Sequence, residues 1–258
     1  MVGVYFSGTG NTKYCIEKFL KAFEGSARAL PIEDPAATDA VKNTDEIVFA
    51  YPVQYSNLPK IVRDFIKLNR GIWRGKRIFI IATMGLFSGD GAGCSARLFK
   101  KYGAKVIGGL HLKMPDCIGD SKLLKKPLDK NRELIKQAEE KIVKAADNIK
   151  SGKYPKEGLG FFYHVAGLFG QRLYFPNKTK KYYDGVKADG DKCVACGLCA
   201  SVCPMKNIRI EGGKVIFNGK CTMCYRCFSN CPQKAITIIG KQVYEQSKTE
   251  KYIDVGNV

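Results

Sequence analysis

From Val2 to about Gly152, short apolar runs rich in β-branched and aromatic residues alternate with stretches whose apolar residues recur every three or four positions. The runs predict five strands, at 2–7 (VGVYFS), 27–32 (ARALPI), 46–52 (EIVFAYP), 77–84 (RIFIIATM) and 104–112 (AKVIGGLHL). The stretches between them predict helices. One covers 11–23 and places Cys15, Ile16, Phe19, Leu20 and Phe23 on one face. A second starts at Pro59, which suits a first helical turn because it has no N–H to leave unpaired; Ile61, Val62, Phe65 and Ile66 then turn inward. Further helices are expected over 92–102 and 129–150, the latter with apolar residues at 134/135, 138, 142, 145/146 and 149. The crossover around 34–43 (DPAATDAVKN) carries the weakest pattern. Strands joined by helical crossovers make a parallel sheet covered on both faces, and the nearly continuous apolar third and fourth strands agree. Such a sheet binds ligands beyond the carboxyl ends of its strands.

The alternation stops at Gly152. This sets a first unit at 1–152, an aromatic and basic connector at 153–187, a cysteine-rich unit at 188–240 and a polar C-terminal tail at 241–258. The connector (KEGLGFFYHVAGLFGQRLYFPNKTKKYYDG) is expected to pack between the units; peripheral contact with a membrane is the second reading, since aromatics beside lysines also suit an interface. Its apolar part is too short to span a bilayer, and no run of about 18 apolar residues occurs anywhere. The N-terminus enters a strand pattern at once, so no secretory signal is expected. With 258 residues, 45% of them hydrophobic, the chain can bury a core in one or two domains.

The cysteines narrow the chemistry. Cys193–Pro204 reads CVACGLCASVCP, and Cys221–Pro232 repeats it as CTMCYRCFSNCP, offset by 28 residues (221 − 193). The match continues, CPMKNIRI in the first half against CPQKAITI in the second, so the unit is an internal duplication in which each half ends in a short strand. Zinc sites commonly use two separated C-x₂-C pairs, whereas three close cysteines, a fourth and a proline are the spacing of iron–sulfur ligands. Zinc or a single cluster remain the alternatives. Small residues such as Ala195 and Gly197 let the backbone curl and aim N–H groups at sulfur. The region closely resembles the two-cluster bacterial ferredoxins, a small α+β fold. That resemblance implies two [4Fe–4S] clusters with crossed ligation: Cys193, Cys196, Cys199 and Cys231 on one, Cys221, Cys224, Cys227 and Cys203 on the other. Eleven cysteines in all predict a reducing, cytoplasmic setting.

Between the first strand and the first helix lies SGTGNT: Ser7, Gly8, Thr9, Gly10, Asn11 and Thr12. Glycines tolerate unusual backbone angles, and a helix N-terminus offers free N–H groups to phosphate. One hydroxyl would cap the helix; three go beyond that need. No G-K-[ST] follows, so triphosphate hydrolysis is unsupported. The stretch resembles the phosphate loop of the flavodoxin family. This implies FMN and a doubly wound five-stranded parallel α/β sheet in the order 2-1-3-4-5. Two later loops fall where that family encloses the flavin ring. Pro52, Val53, Gln54 and Tyr55 follow the third strand; Thr83, Met84, Gly85, Phe87 and Gly89 follow the fourth. Tyr55 and Phe87 are candidates to touch the ring, with ordinary packing as the alternative, and Gln54 suits its polar edge.

Cys15 is expected buried, Cys94 and Cys117 stand outside the repeats, Trp73 is expected to pack, and His111 and His164 have no nameable partner, so no catalytic residue is assigned. Formal charge is +19; eight cluster thiolates, two cluster cores and an FMN phosphate bring it to about +13. No nucleic-acid reader motif accompanies this charge, and the basic-aromatic KTKKYY run (178–183) reads as a solvated linker, so nucleic acid is not the expected partner. An acidic redox protein, such as a ferredoxin or a reductase, is. The whole resembles flavodoxin–ferredoxin fusions of anaerobic bacteria and archaea. The expected function is an electron-transfer iron–sulfur flavoprotein; the alternative is a flavin reductase acting directly on a small molecule.

Overall fold

The structure is a computed structural model and describes residues 1–25, 28–175 and 182–253. Strands β1 (Val2–Tyr5), β2 (Ala29–Pro31), β3 (Glu46–Pro52), β4 (Arg77–Met84) and β5 (Lys105–Lys113) form one parallel sheet, ordered β2-β1-β3-β4-β5. The expected flavodoxin-like fold and strand order are present. Helices α1 (Asn11–Glu24) and α5 (Leu128–Lys150) pack on one face, and α2 (Pro35–Lys42), α3 (Lys60–Leu68) and α4 (Gly91–Lys101) on the other. Strand β3 shows why its sequence is apolar throughout. Ile47, Phe49 and Tyr51 enter the α2–α4 core, and Val48 and Ala50 enter the α1–α5 core. Trp73 is fully buried against Phe49, Phe65 and Phe99, with its indole N–H donated to the Ile66 carbonyl at 2.9 Å.

Helix α2 forms at the weakest part of the pattern. Asp34 accepts the Ala36 N–H at 2.9 Å and Pro35 takes the first helical position, a start signal stronger than the apolar periodicity behind it. The first strand ends at Tyr5 rather than residue 7, and the expected start of the second, Ala27, lies outside the described residues.

Beyond α5, residues 155–157 bond Gly109 on the free side of β5 and cover that edge (Gly109 N to Pro155 O 2.8 Å, Glu157 N to Gly109 O 2.9 Å). Helix α6 (Phe161–Gly167) continues into a π-turn at Leu168–Arg172. The cysteine-rich unit contains α7 (Leu198–Ser201), α8 (Arg226–Asn230) and two antiparallel pairs: β6 (Lys187–Ala188) with β9 (Ile236–Thr237), and β7 (Ile208–Glu211) with β8 (Lys214–Phe217). Of the KTKKYY run, Lys178–Lys181 lie outside the described residues, and Tyr182 and Tyr183 pack on this unit's core.

The two units are docked. In the loop after β5, Asp120 accepts the N–H groups of Ile238, Ile239 and Gly240 at 2.6, 2.9 and 3.0 Å and the Tyr225 hydroxyl at 2.9 Å. The C-terminal segment, expected as a polar tail, packs back as far as it is described. Thr249 donates its N–H and hydroxyl to Thr9 O at 3.0 and 3.1 Å, and Tyr252 enters the α1–α5 core. Its polar residues bury because each finds a partner.

Candidate functional site

A cavity of about 230 Å³ opens at the carboxyl ends of β1, β3 and β4. Ser7, Gly8, Thr9, Asn11 and Thr12 line one end; Pro52–Tyr55 and Thr83–Phe87 line the rest of the first unit's wall. Gly10 and Gly89 do not line it. Gly10 is the N-cap of α1, where its φ of 105° suits only glycine, and it lies against Thr249. Gly89 packs on Gly167, where a Cβ would meet the Gly167 Cα at 2.4 Å.

Several lining residues were missed by the sequence reading. Pro115–Ile118 follow β5, Gln171 comes from the connector, and Met223, Cys224 and Tyr225 come from the cysteine-rich unit. The first group stands at a strand end, so the rule that ligands bind there points to it. The others reach the cavity only through tertiary structure. The joint is tight: a Cβ on Gly8 would lie 2.1 Å from the Cys224 carbonyl oxygen. Arg226 donates to Ser7 O from Nη2 (2.7 Å) and Nε (3.0 Å) and pairs with Glu33. It brings a cation to the loop where a phosphate is expected.

Polar atoms in the cavity wall are prepared for a ligand. The Ser7 hydroxyl and Gln54 Oε1 are buried with no partner. Gln54 Nε2 donates to Thr222 O and Met223 O at 2.9 and 3.1 Å, which fixes the amide with its acceptor free. A free hydroxyl beside a phosphate and a free carbonyl beside a ring N–H are what a bound flavin mononucleotide would satisfy. Thr12 and Thr83 hydroxyls bond each other at 2.8 Å. Tyr55 stacks on Phe175 with ring centroids 4.6 Å apart, and burial pushes its phenol up to about 12. Burial also raises the Asp116 carboxyl, against the pull of the Ile118 N–H and Lys126. Its Oδ2 lies 2.3 Å from where a Cβ on Gly85 would stand.

The cysteines surround two further voids. Cys193, Cys196, Cys199 and Cys231 line one; Cys203, Cys221, Cys224 and Cys227 line the other. These are the two crossed sets. Among the described residues no three His, Cys, Asp or Glu side chains converge on a single ion; the eight cysteines line two voids, four on each. The duplication extends to the backbone. Ala195 and Met223 (φ 50° and 52°), Gly197 and Tyr225 (79° and 61°), and Lys206 and Lys234 (47° and 48°) are left-handed pairs separated by the same interval as the motifs. These turns point N–H groups at sulfur: Asn207 N to Cys203, Ala235 N to Cys231 and Met223 N to Cys221, each at 3.3 Å. Burial pushes Cys224 up to about 12 and also raises Cys199, Cys221 and Cys227.

The voids differ in depth. Cys196 is exposed and Val194 beside it is 63% exposed, whereas Cys221 and Cys227 are buried. Cys224 lines both the inner void and the large cavity.

Family profiles agree with this division: a flavodoxin domain matches residues 3–107 and a 4Fe-4S dicluster domain matches residues 192–236. No curated protein matches the chain. Similar solved structures include the Megasphaera elsdenii flavodoxin, with 26% identity over 56% of this chain and 100% of that one and a TM-score of 0.40. They also include the Fusobacterium nucleatum flavodoxin bound to flavin mononucleotide, with 16% identity over 59% and 98% and a TM-score of 0.42.

Proposed function

We propose that this chain, a flavodoxin domain joined to a two-cluster ferredoxin domain with FMN and [4Fe–4S] clusters as its cofactors, relays electrons between a protein partner at the Cys193–Cys199 surface and the cavity at the strand ends. The observation that carries the order is Cys224, which is a wall of both the inner cluster void and the cavity. When bound, clusters exchange single electrons and flavin takes one or two.

The residues divide the work. Cys193, Cys196, Cys199 and Cys231 hold the outer cluster near solvent, and Cys203, Cys221, Cys224 and Cys227 hold the inner one away from it. Ser7–Thr9, Asn11 and Thr12 hold the phosphate, with Arg226 braced on the Ser7 carbonyl; Gln54 orients the ring's polar edge; Tyr55 and Phe87 flank it. Asp116 is the carboxyl placed to hold a proton at Oδ2 when the charge inside the cavity rises.

The partner reading rests on the rim of the outer void. Exposed Val194 is accompanied by exposed Lys192, Lys214 and Lys234, each next in sequence to a residue that lines that void. An acidic redox protein suits such a rim, and its docking is weakened by salt. The test is anaerobic purification with iron, sulfide and flavin assays, then reduction by an acidic ferredoxin. Cys193→Ser should leave the flavin bound and slow its reduction by that donor at least tenfold, and salt should slow the wild type. Equal rates in the variant overturn the order of carriers; equal rates across salt overturn the partner. Rapid turnover of a soluble acceptor without any protein partner favours the small-molecule reductase instead.

A further inference from the structure

The helical connector is built inside out. Its polar side chains face the protein: His164 and Arg172 both reach buried Asp90, His164 Nδ1 at 2.9 Å, and Gln171 accepts the Ser56 hydroxyl at 2.7 Å. Gly167 packs on the backbone of Gly89 and Asp90. The apolar side chains face away. Phe162 is 86% exposed, Phe161 74% and Phe169 61%, with Leu173 and Tyr174 also exposed. Helices of water-soluble domains carry the reverse arrangement. Contiguous exposed apolar surface of this kind marks an interaction site.

We propose that this aromatic face lies in the headgroup layer of an anionic phospholipid bilayer, with the helix in the membrane plane. Two observations select that occupant. The exposed rings and leucine carry two hydroxyls, those of Tyr163 and Tyr174, and no charge, because His164 and Arg172 are engaged by Asp90 on the other side. Around it in sequence stand exposed Lys153, Lys156 and Lys187, and Lys178, Lys180 and Lys181 outside the described residues, against Glu157 and Asp184. Apolar rings flanked by lysines are the pattern of in-plane anchors, which gain from both acyl burial and anionic headgroups. The face also reaches the cavity mouth. Phe87 lines the cavity, and its ring lies 3.3 Å from where a Cβ on Gly170 would stand. Docking therefore brings the opening of the cavity to the lipid surface. No helix among the described residues is long and apolar enough to cross a membrane, so the contact is peripheral.

The test is flotation of the full-length protein with vesicles of phosphatidylcholine mixed with phosphatidylglycerol, beside vesicles of phosphatidylcholine alone. It does not depend on the electron route, since lipid binding is read directly. Wild type should float with the anionic vesicles and be released by salt. Phe162→Ser combined with Phe169→Ser should lower partitioning at least tenfold, while the leucine pair at the same positions retains it. Both positions are exposed, and an unchanged melting midpoint verifies the fold. Failure of wild type to bind anionic vesicles, or equal flotation of the serine variant, overturns the proposal. So does a wild-type dimer that the serine variant splits, which assigns the face to a second copy of the chain.

Discussion

Asp120 is 2% exposed and lies between the two domains, where its carboxylate accepts three backbone N–H groups and the Tyr225 hydroxyl. Asp120→Asn keeps the shape and removes the charge. Hydrogen bonds to a charged acceptor contribute about 1.5–3 kcal/mol each, against about 0.5–1.5 for neutral ones. If the amide oxygen keeps the three N–H donors, each weakens by about 1 kcal/mol and the tyrosine hydroxyl must turn to accept, for a loss of about 3 kcal/mol. In a chain of this length that lowers the melting midpoint by roughly 6–12 °C. Anaerobic thermal scans followed by circular dichroism check it, with flavin fluorescence as a second signal. Tyr225 lines the cavity, so flavin should leave at or below the variant's midpoint. A drop smaller than about 2 °C would refute the claim that a charged acceptor holds the domains together.

Other outcomes follow from individual residues. Cys231→Ser should remove the same cluster as Cys193→Ser although the two lie in different repeats, and the double variant should lose no more iron than either single one. Loss of both clusters in the double variant would show uncrossed ligation. Ser7→Ala removes the buried, unpartnered hydroxyl of the loop, and FMN affinity measured by fluorescence titration should fall about tenfold; unchanged affinity refutes that role. Burial lowers His111 from 6.5 to about 4, with Glu157 opposing and Lys141 assisting. The unfolded chain therefore takes up this proton first. The resulting stabilisation is complete above pH ~6.5 and is lost as pH falls towards the folded value. His111→Gln should flatten the stability profile across that window in denaturant titrations, and an unaltered slope counts against the assignment.

The sheet and the grouping of the cysteines around two voids were legible because their physics is local. A strand buried on both faces is apolar at every position, as β3 and β4 are, and the ligands of a cubane must be close in sequence to wrap it. The place of the SGTGNT loop at a strand end, beside the cavity, was legible for the same reason. Asp120 was not, because its partners Ile238–Gly240 lie a whole domain away in the chain; Arg226 on Ser7 and Thr249 on Thr9 are likewise long-range. Polar residues near a C-terminus read as a solvated tail until their partners are known. The outward face of the connector was not legible either, since it depends on Asp90, which draws His164 and Arg172 to the protein side and leaves the aromatic rings exposed.

These long-range contacts also bear on why the two domains occur as one chain. A flexible tether would only raise the local concentration of one carrier near the other, leaving electrons to cross during transient encounters. Here the ferredoxin domain forms part of the cavity wall. The Cys224 carbonyl occupies the place of a Gly8 side chain, the Thr222 and Met223 carbonyls fix Gln54, and Arg226 supplies charge beside the phosphate loop. Separating the domains would undo the ring-edge and phosphate contacts together. The flavodoxin domain alone should therefore bind FMN more weakly than the full chain, even with every residue of its own loops intact. Gly8→Ala tests the same coupling without cutting the chain. Its methyl group has no room, so it should push the Cys224 loop away, costing about 1–3 kcal/mol as overpacking does. It should also slow flavin reduction while leaving the iron content unchanged. If electrons still passed at the wild-type rate, the shared wall would be incidental and the domains would be working as tethered neighbours.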